Sequence, residues 1–142
     1  MQLSRFTDYT LRVLFYVAIN NDRLATLNEI ADFYQISVEH LRKVVHALSK
    51  SGYLKTYRGK HGGIRLNRPA DQINIGELVV QTEGPQPLID CAGLECCLTS
   101  MCNLQNTLAQ AQKAFIDTLS QYSLADMLNN PRMQQRLISK VG

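Results

Sequence analysis

The stretch CAGLECCLTSMC, residues 91–102, holds all four cysteines of a 142-residue chain. Thiols crowded into one short segment could form disulfides, bind zinc or hold an iron–sulfur cluster. Adjacency disfavours a disulfide between Cys96 and Cys97, whose Cα atoms sit about 3.8 Å apart, below the usual bridging range of about 4.4–6.8 Å. Four thiolates suit zinc, but structural zinc sites usually pair cysteines as close C-x(2–4)-C units. Cys91, Cys96 and Cys102 are instead spaced C-x4-C-x5-C, with Cys97 as an extra. A broad loop of three thiolates can hold one face of an iron–sulfur cluster and leave one position to a weaker ligand. Spacing favours the cluster and leaves zinc and unliganded thiols open.

The start of the chain, MQLSRFTDYT, has no apolar segment behind a basic one, as a secretory signal would. No apolar run approaches the roughly 20 residues that span a bilayer. A cytoplasmic location without membrane contact is therefore expected, and there thiols stay reduced. Charge is divided along the chain. Residues 1–69 carry eleven Lys and Arg against five Asp and Glu, whereas residues 70–142 carry four against seven. Between Arg42 and Arg68 there are eight basic residues and no acid. Such asymmetry points the first half toward a polyanion.

The elements that must position these residues follow from periodicity. In TDYTLRVLFYVAINN, Thr7 is an N-cap by type and Asp8 suits the helix dipole. Leu11, Leu14, Phe15, Ala18 and Ile19 then share a face. Thr26 and Glu29 stand at capping-box spacing before a second helix from Leu27. Ser37 can cap a third helix with Leu41, Val44, Val45 and Leu48 inward, ended by Gly52. Two β segments, 53–57 and 63–67, flank a turn with Gly59, Gly62 and Gly63. A helix-turn-helix followed by a basic hairpin is a winged helix.

INIGELVVQTEG reads as a short fourth helix, and GPQPLIDCAGLE as irregular. From Asn103, a plausible N-cap, Leu104, Leu108, Ala111, Phe115, Leu119 and Tyr122 form the stripe of a long helix, suited to packing on a second copy or within the chain. The expected fold is mainly α with a small β wing: a winged helix-turn-helix plus a long C-terminal dimerisation helix. Its parts are the winged helix over 1–83, a cysteine loop over 84–102, the dimerisation helix and a short terminal helix over 103–130, and a tail over 131–142.

A recognition helix meets base edges with its first turns. Here those carry Ser37, Val38, Glu39, His40, Arg42 and Lys43. Glu39 can accept from cytosine, and His40 or Lys43 can meet guanine or phosphate. In the wing, Arg58, Lys60, His61 and Arg65 are placed for phosphate or minor-groove contact. Double-stranded operator DNA read by a homodimer is the expected partner. No catalytic constellation is visible: the three histidines lie in the basic half, and no P-loop or nucleophile–base pairing occurs.

FTDYTLRVLFY, GYLKTYRGKHGGIRLNRPADQINIGELV and the three-cysteine loop together resemble the Rrf-two family of bacterial winged-helix regulators, and within it the nitric-oxide-sensitive repressors. The likeness runs over essentially the whole chain. The RGKHGGIRL wing and the cysteine spacing are its most specific parts. It implies a homodimer crossed by the long helix, with one cluster per subunit, 4Fe–4S or 2Fe–2S, held by Cys91, Cys96 and Cys102. In the family's nitric-oxide sensors an aspartate near the start of the first helix, donated by the other subunit, is the fourth ligand. Asp8 occupies that place, so the resemblance implies a role for Asp8 of the partner subunit; by residue type alone it is a helix-dipole carboxylate. The family's cluster-biogenesis regulators use a histidine three residues after the last cysteine, where this chain has Gln105. Nothing in the pattern requires Cys97, which reads as a small side chain rather than a ligand. The implied function is repression by the cluster-loaded dimer, with nitric oxide as effector releasing operator DNA and derepressing nitric-oxide stress genes. The alternatives are a more general regulator of iron–sulfur or redox status and, from another class, an iron–sulfur electron carrier without a DNA role. The carrier gives no reason for an acid-free basic helix and wing.

Overall fold

Two cap-type residues compete to open the first helix, and Ser4 prevails over Thr7. In the computed structural model, which describes residues 1–138, α1 runs Arg5–Ile19 and the Ser4 Oγ accepts the Thr7 N–H at 3.1 Å. The expected Thr7 cap is thus corrected. The earlier start adds a turn that brings Thr7 onto the buried face with Thr10, Leu14 and Val17. Apolar residues occupy two neighbouring stripes of α1, and periodicity alone fits either. Val13, Leu14, Tyr16 and Val17 are the buried ones, while Leu11, Phe15, Ala18 and Ile19 are half-buried.

Helix α2, Leu27–Tyr34, is capped as expected by Thr26, whose Oγ1 accepts the Glu29 N–H at 3.1 Å. A left-handed Gln35 (φ 57°) ends it. The Ser37 Oγ accepts the His40 N–H at 3.3 Å and opens α3, Val38–Lys50, which buries Leu41, Val44, Val45 and Leu48. Its end is a Schellman motif: the Tyr53 N–H reaches the Leu48 carbonyl at 2.9 Å and the Gly52 N–H the Ser49 carbonyl at 3.2 Å. Gly52 sits at φ +85°, which a Cβ would strain.

Strands β1, Leu54–Tyr57, and β2, Gly63–Leu66, pair antiparallel from Leu54 opposite Leu66 to Tyr57 opposite Gly63. Gly62 is required at the turn, because a Cβ there would lie 2.0 Å from the Tyr57 carbonyl oxygen. Ala25 adds one long-range rung: it exchanges both backbone hydrogen bonds with Ile64, at 2.9 and 2.7 Å. The wing is thereby pinned to the turn before α2.

The chain divides into two units, Met1–Ile73 with the chain from Ser123 onward, and Asn74–Tyr122. The first is the winged helix, completed by a 3-10 turn (Ala70–Gln72), α6 (Leu124–Met127) and α7 (Pro131–Ile138). A hydrogen bond of 2.8 Å from Leu124 N–H to the Ile73 carbonyl holds α6 to this unit. Residues 131–138, expected as a tail, are helical. Asn130 caps them through the Met133 N–H at 3.2 Å, Pro131 takes the first helical position, and α7 packs on α1 with Leu137 buried. The remainder of that expected tail, 139–142, lies outside the described residues.

The second unit contains α4 (Ile75–Glu83), the cysteine loop and α5 (Asn103–Leu119). Gly76 lets α4 approach the end of α5, since a Cβ would fall 1.9 Å from the Ser120 Oγ. Cys102, with extended backbone, is the N-cap residue of α5, so the expected Asn103 cap moves one place and Asn103 is the first helical residue. None of the 17 residues of α5 is buried. Among the described residues no helix is long and apolar enough to cross a membrane.

Candidate nucleic-acid interface and cysteine loop

The first turn of α3 presents Glu39, His40, Arg42 and Lys43 to solvent, while Val38 is half-buried and Ser37 is engaged as the cap. Glu39 and Arg42 form an exposed pair at 3.5 Å, which leaves both side chains free to exchange partners. The Tyr9 ring of α1 lies 6.0 Å from the His40 ring. At the β1–β2 turn Arg58, Lys60 and His61 are all exposed, and Arg65 on β2 stands opposite Lys55 on β1. Helix, turn and strand thus bring the expected basic residues to the surface of one unit. His46, Lys50 and Lys55 are equally exposed, and individual contact assignments overlooked them. The acid-free window already included all three; helical spacing from Glu39 and Lys43 would have picked out the first two.

Behind this surface, Glu29 fixes the segment ahead of α2. Its carboxylate accepts the Tyr16 hydroxyl at 3.0 Å and the Arg23 guanidinium at 2.5 Å. Burial raises the Glu29 pKa, but bonds from Arg23, Thr26 and Tyr16 outweigh it and hold the group below the ordinary carboxylate value. The Tyr34 hydroxyl donates to the Arg12 carbonyl at 2.7 Å, and burial pushes that phenol well up. Tyr34 also underlies the Arg12 guanidinium, 5.7 Å from the ring centre.

Asp8 stands in the first turn of α1, where the Arg12 Nε donates to its Oδ1 at 2.9 Å. That hydrogen bond is the leading cause of the raised Arg12 pKa. The pair borders an open cleft of about 360 Å³, also lined by Arg5, Tyr9 and Tyr34. The Asp8 side chain keeps 46% of its surface exposed, so the carboxylate is accessible from outside the subunit.

All four cysteines are free; Cys91 and Cys102 are half-buried, Cys96 and Cys97 exposed. The loop turns through bonds from Leu94 N–H to Asp90 O and from Cys96 N–H to Cys91 O, both 3.0 Å. The Asp90 Oδ1 accepts the Gly93 N–H at 2.8 Å, and a Cβ at Gly93 would push that carboxylate aside. Among the described residues no three His, Cys, Asp or Glu side chains are gathered closely enough to hold an ion. The structure therefore does not bring Cys91, Cys96 and Cys102 together as a ligand set. Their chemistry fits one nonetheless: they are thiols without a disulfide on a single loop, the donors that iron–sulfur clusters take.

The stripe of α5 splits between two sides. Leu108 and Leu119 are half-buried, whereas Leu104 (58% exposed), Ala111 and Phe115 (39%) face outward; Tyr122 (43%), expected in the same stripe, lies beyond the end of α5 at Leu119.

The model of the Rrf2 family, described as an iron-dependent transcriptional regulator, matches residues 3–130. The transcriptional regulator NsrR of Bacillus licheniformis is 42% identical over 98% of this chain and 100% of its own. NsrR of Oceanobacillus iheyensis is 41% identical over 100% of this chain and 97% of its own. Among solved structures, CymR, the global cysteine regulator of B. subtilis, superposes with a TM-score of 0.75 at 23% identity, covering 90% of this chain and 96% of that one. IscR of T. potens gives 0.73 at 22% identity, covering 90% and 86%. At such identities these two speak for the fold.

Proposed function

The chain belongs to the Rrf2 family of transcriptional regulators, and from that premise we propose that it is a homodimeric, iron–sulfur-dependent repressor whose effector is nitric oxide. The observation that carries this reading is a combination within one chain. An exposed basic helix and wing, free of acid between Arg42 and Arg68, accompanies a loop that holds every thiol free. The likeness of the wing and the cysteine spacing to nitric-oxide-sensitive members supports the choice of effector. The first turns of α3 enter the major groove, and Arg58, Lys60, His61 and Arg65 meet phosphates or the adjoining minor groove.

Cys91, Cys96 and Cys102 hold the cluster, one per subunit, and the partner subunit's Asp8 supplies a carboxylate. When bound, the cluster supplies an iron that reacts with nitric oxide. A carboxylate is the weakest donor of that set, so its position is the one most easily given up. An Asp8 not engaged by the other subunit is retained by Arg12 of its own helix, at 2.9 Å. Because α1 carries both Asp8 and the Tyr9 ring that meets His40, a shift of α1 moves the start of the recognition helix. Two reading heads must stay about 34–36 Å apart on the duplex, so small displacements cost affinity. The outward face of α5, Leu104, Ala111 and Phe115, pairs with its copy in the dimer, and Tyr122 just beyond the helix end joins that contact.

Anaerobic operator binding with and without nitric oxide tests the reading. Tight binding by the loaded protein that nitric oxide abolishes is expected; equal binding in both conditions refutes it. Asp8→Ala should accelerate cluster loss and blunt the nitric-oxide response. If neither changes, Asp8 has no place in the scheme.

A further inference from the structure

Three cysteines separated by four and five residues hold one group more firmly when the intervening backbone is already restrained, because less ordering is left to the binding step. Thr99 is placed for that task. Its Oγ1 lies 2.8 Å from the Cys96 carbonyl oxygen and 3.2 Å from that of Cys91, while its N–H donates to the Cys96 carbonyl at 3.1 Å. A hydroxyl has one hydrogen, which these two acceptors share. The Cys91 carbonyl also takes the Cys96 N–H at 3.0 Å, so the backbones of both residues meet at one half-buried hydroxyl.

Gln105 does the matching work at the other end. Its Oε1 accepts the Ser100 N–H at 3.0 Å, and Ser100 is held in a left-handed conformation at φ 72°. Gln105 is the third residue of α5, one turn beyond Cys102, which has no side-chain capping bond of its own. The bond therefore ties the last turn of the loop to the helix that Cys102 begins.

We propose that Thr99 and Gln105 are positioning residues that brace the cysteine loop before it is loaded, Thr99 clasping the Cys91 and Cys96 backbones and Gln105 locking the approach to Cys102. The inference rests on the cluster-binding reading given above. It gives Gln105 a role at the position where the family's cluster-biogenesis branch carries its histidine: here the residue holds the loop rather than the metal. Thr99 holds two backbone carbonyls and Gln105 one backbone N–H, so the braces can be removed separately.

The test uses the full-length protein in two arms. In the metal-free form, amide hydrogen exchange is followed at Cys96 and Ser100, with the buried helical residue Leu41 as a control. Gln105→Ala removes the acceptor of the Ser100 N–H and should speed exchange there by about three- to tenfold, the factor that one net hydrogen bond represents. Thr99→Val leaves the Cys96 N–H its Cys91 acceptor but frees both carbonyls from the hydroxyl, and should speed exchange at Cys96 by loosening that turn. Leu41 should stay unchanged, and Thr99→Ser should restore the wild-type rate at Cys96. In the reconstituted form, the same Val and Ala variants should lose visible absorbance to an iron chelator several-fold faster than wild type, with Thr99→Ser again close to wild type. Unchanged exchange at Cys96 and Ser100, or accelerated exchange with no change in cluster loss, overturns the proposal. A wild-type protein that takes up neither iron nor sulfide overturns the underlying reading instead, and the exchange arm still decides whether the braces exist.

Discussion

Helices α3 and α5 are both amphipathic and both carry a proposed interface, yet they are finished to different degrees. Over 13 residues α3 buries Leu41, Val44, Val45 and Leu48 and turns its charged side chains outward. Over 17 residues α5 leaves no side chain fully buried, and the outer half of its apolar stripe faces solvent. A helix gains most of its stability from packing an apolar face, so α5 lacks what α3 already has. The exposed loop residues Leu94, Leu98 and Met101 extend the same contrast through the second unit. One unit presents a reading surface on a completed core, and the other presents an apolar surface that a second copy would complete.

The contrast is sharpest under truncation. Leu41→Ala should cost about 2–5 kcal/mol of stability, the usual range for emptying a closed core site, as measured by chemical denaturation. Phe115→Glu should leave the fold of a single chain within about 0.5 kcal/mol, as for a surface change, but convert dimer to monomer in sedimentation. A large loss of monomer stability from Phe115→Glu would show that α5 is packed within its own chain.

Smaller effects test the scaffold behind the reading surface. Glu29→Gln should remove about 1 kcal/mol at neutral pH, because it weakens bonds to Arg23 and Tyr16. The folded pKa of Glu29 lies below its unfolded value. Its stabilisation is therefore complete above about pH 4.3 and fades as pH falls through the lowered value. Wild-type and variant stabilities should converge in that acid range, and a constant gap down to pH 2 would contradict the assignment. Smallest is Lys60→Ala, which should weaken binding evenly across DNA sequences and reduce the salt slope by about one unit. An unchanged slope would remove the wing from the interface.

Where one residue type had one strong reading, the sequence sufficed. Ser37 with Leu41, Val44, Val45 and Leu48 defined α3 and its inward face, and the glycines about the wing allowed one turn. Ambiguity arose where equivalent residues stood close together. Ser4 and Thr7 are both caps, and α1 carries two apolar stripes. The helix Pro131–Ile138 was missed because PRMQQRLI is polar, although Asn130 before Pro131 is a start signal. The Ala25–Ile64 rung joins positions far apart in sequence, and no local pattern announces it. At the cysteine loop, residue types and spacing suggested the chemistry. Spacing could not reveal that Thr99 and Gln105 tie the backbone between the thiols, because those bonds depend on how the loop turns.

The proposed sensor stands or falls on whether the thiols of this loop hold iron and sulfide that answer to nitric oxide. Anaerobic purification followed by iron and sulfide analysis and an absorption spectrum, before and after nitric oxide, tests it most directly. Iron and sulfide are expected in each chain, with visible absorbance that nitric oxide alters, and loss of both in Cys91→Ser, Cys96→Ser and Cys102→Ser but not in Cys97→Ser. A colourless protein carrying zinc on the same thiols, or one whose spectrum nitric oxide leaves unchanged, would contradict it.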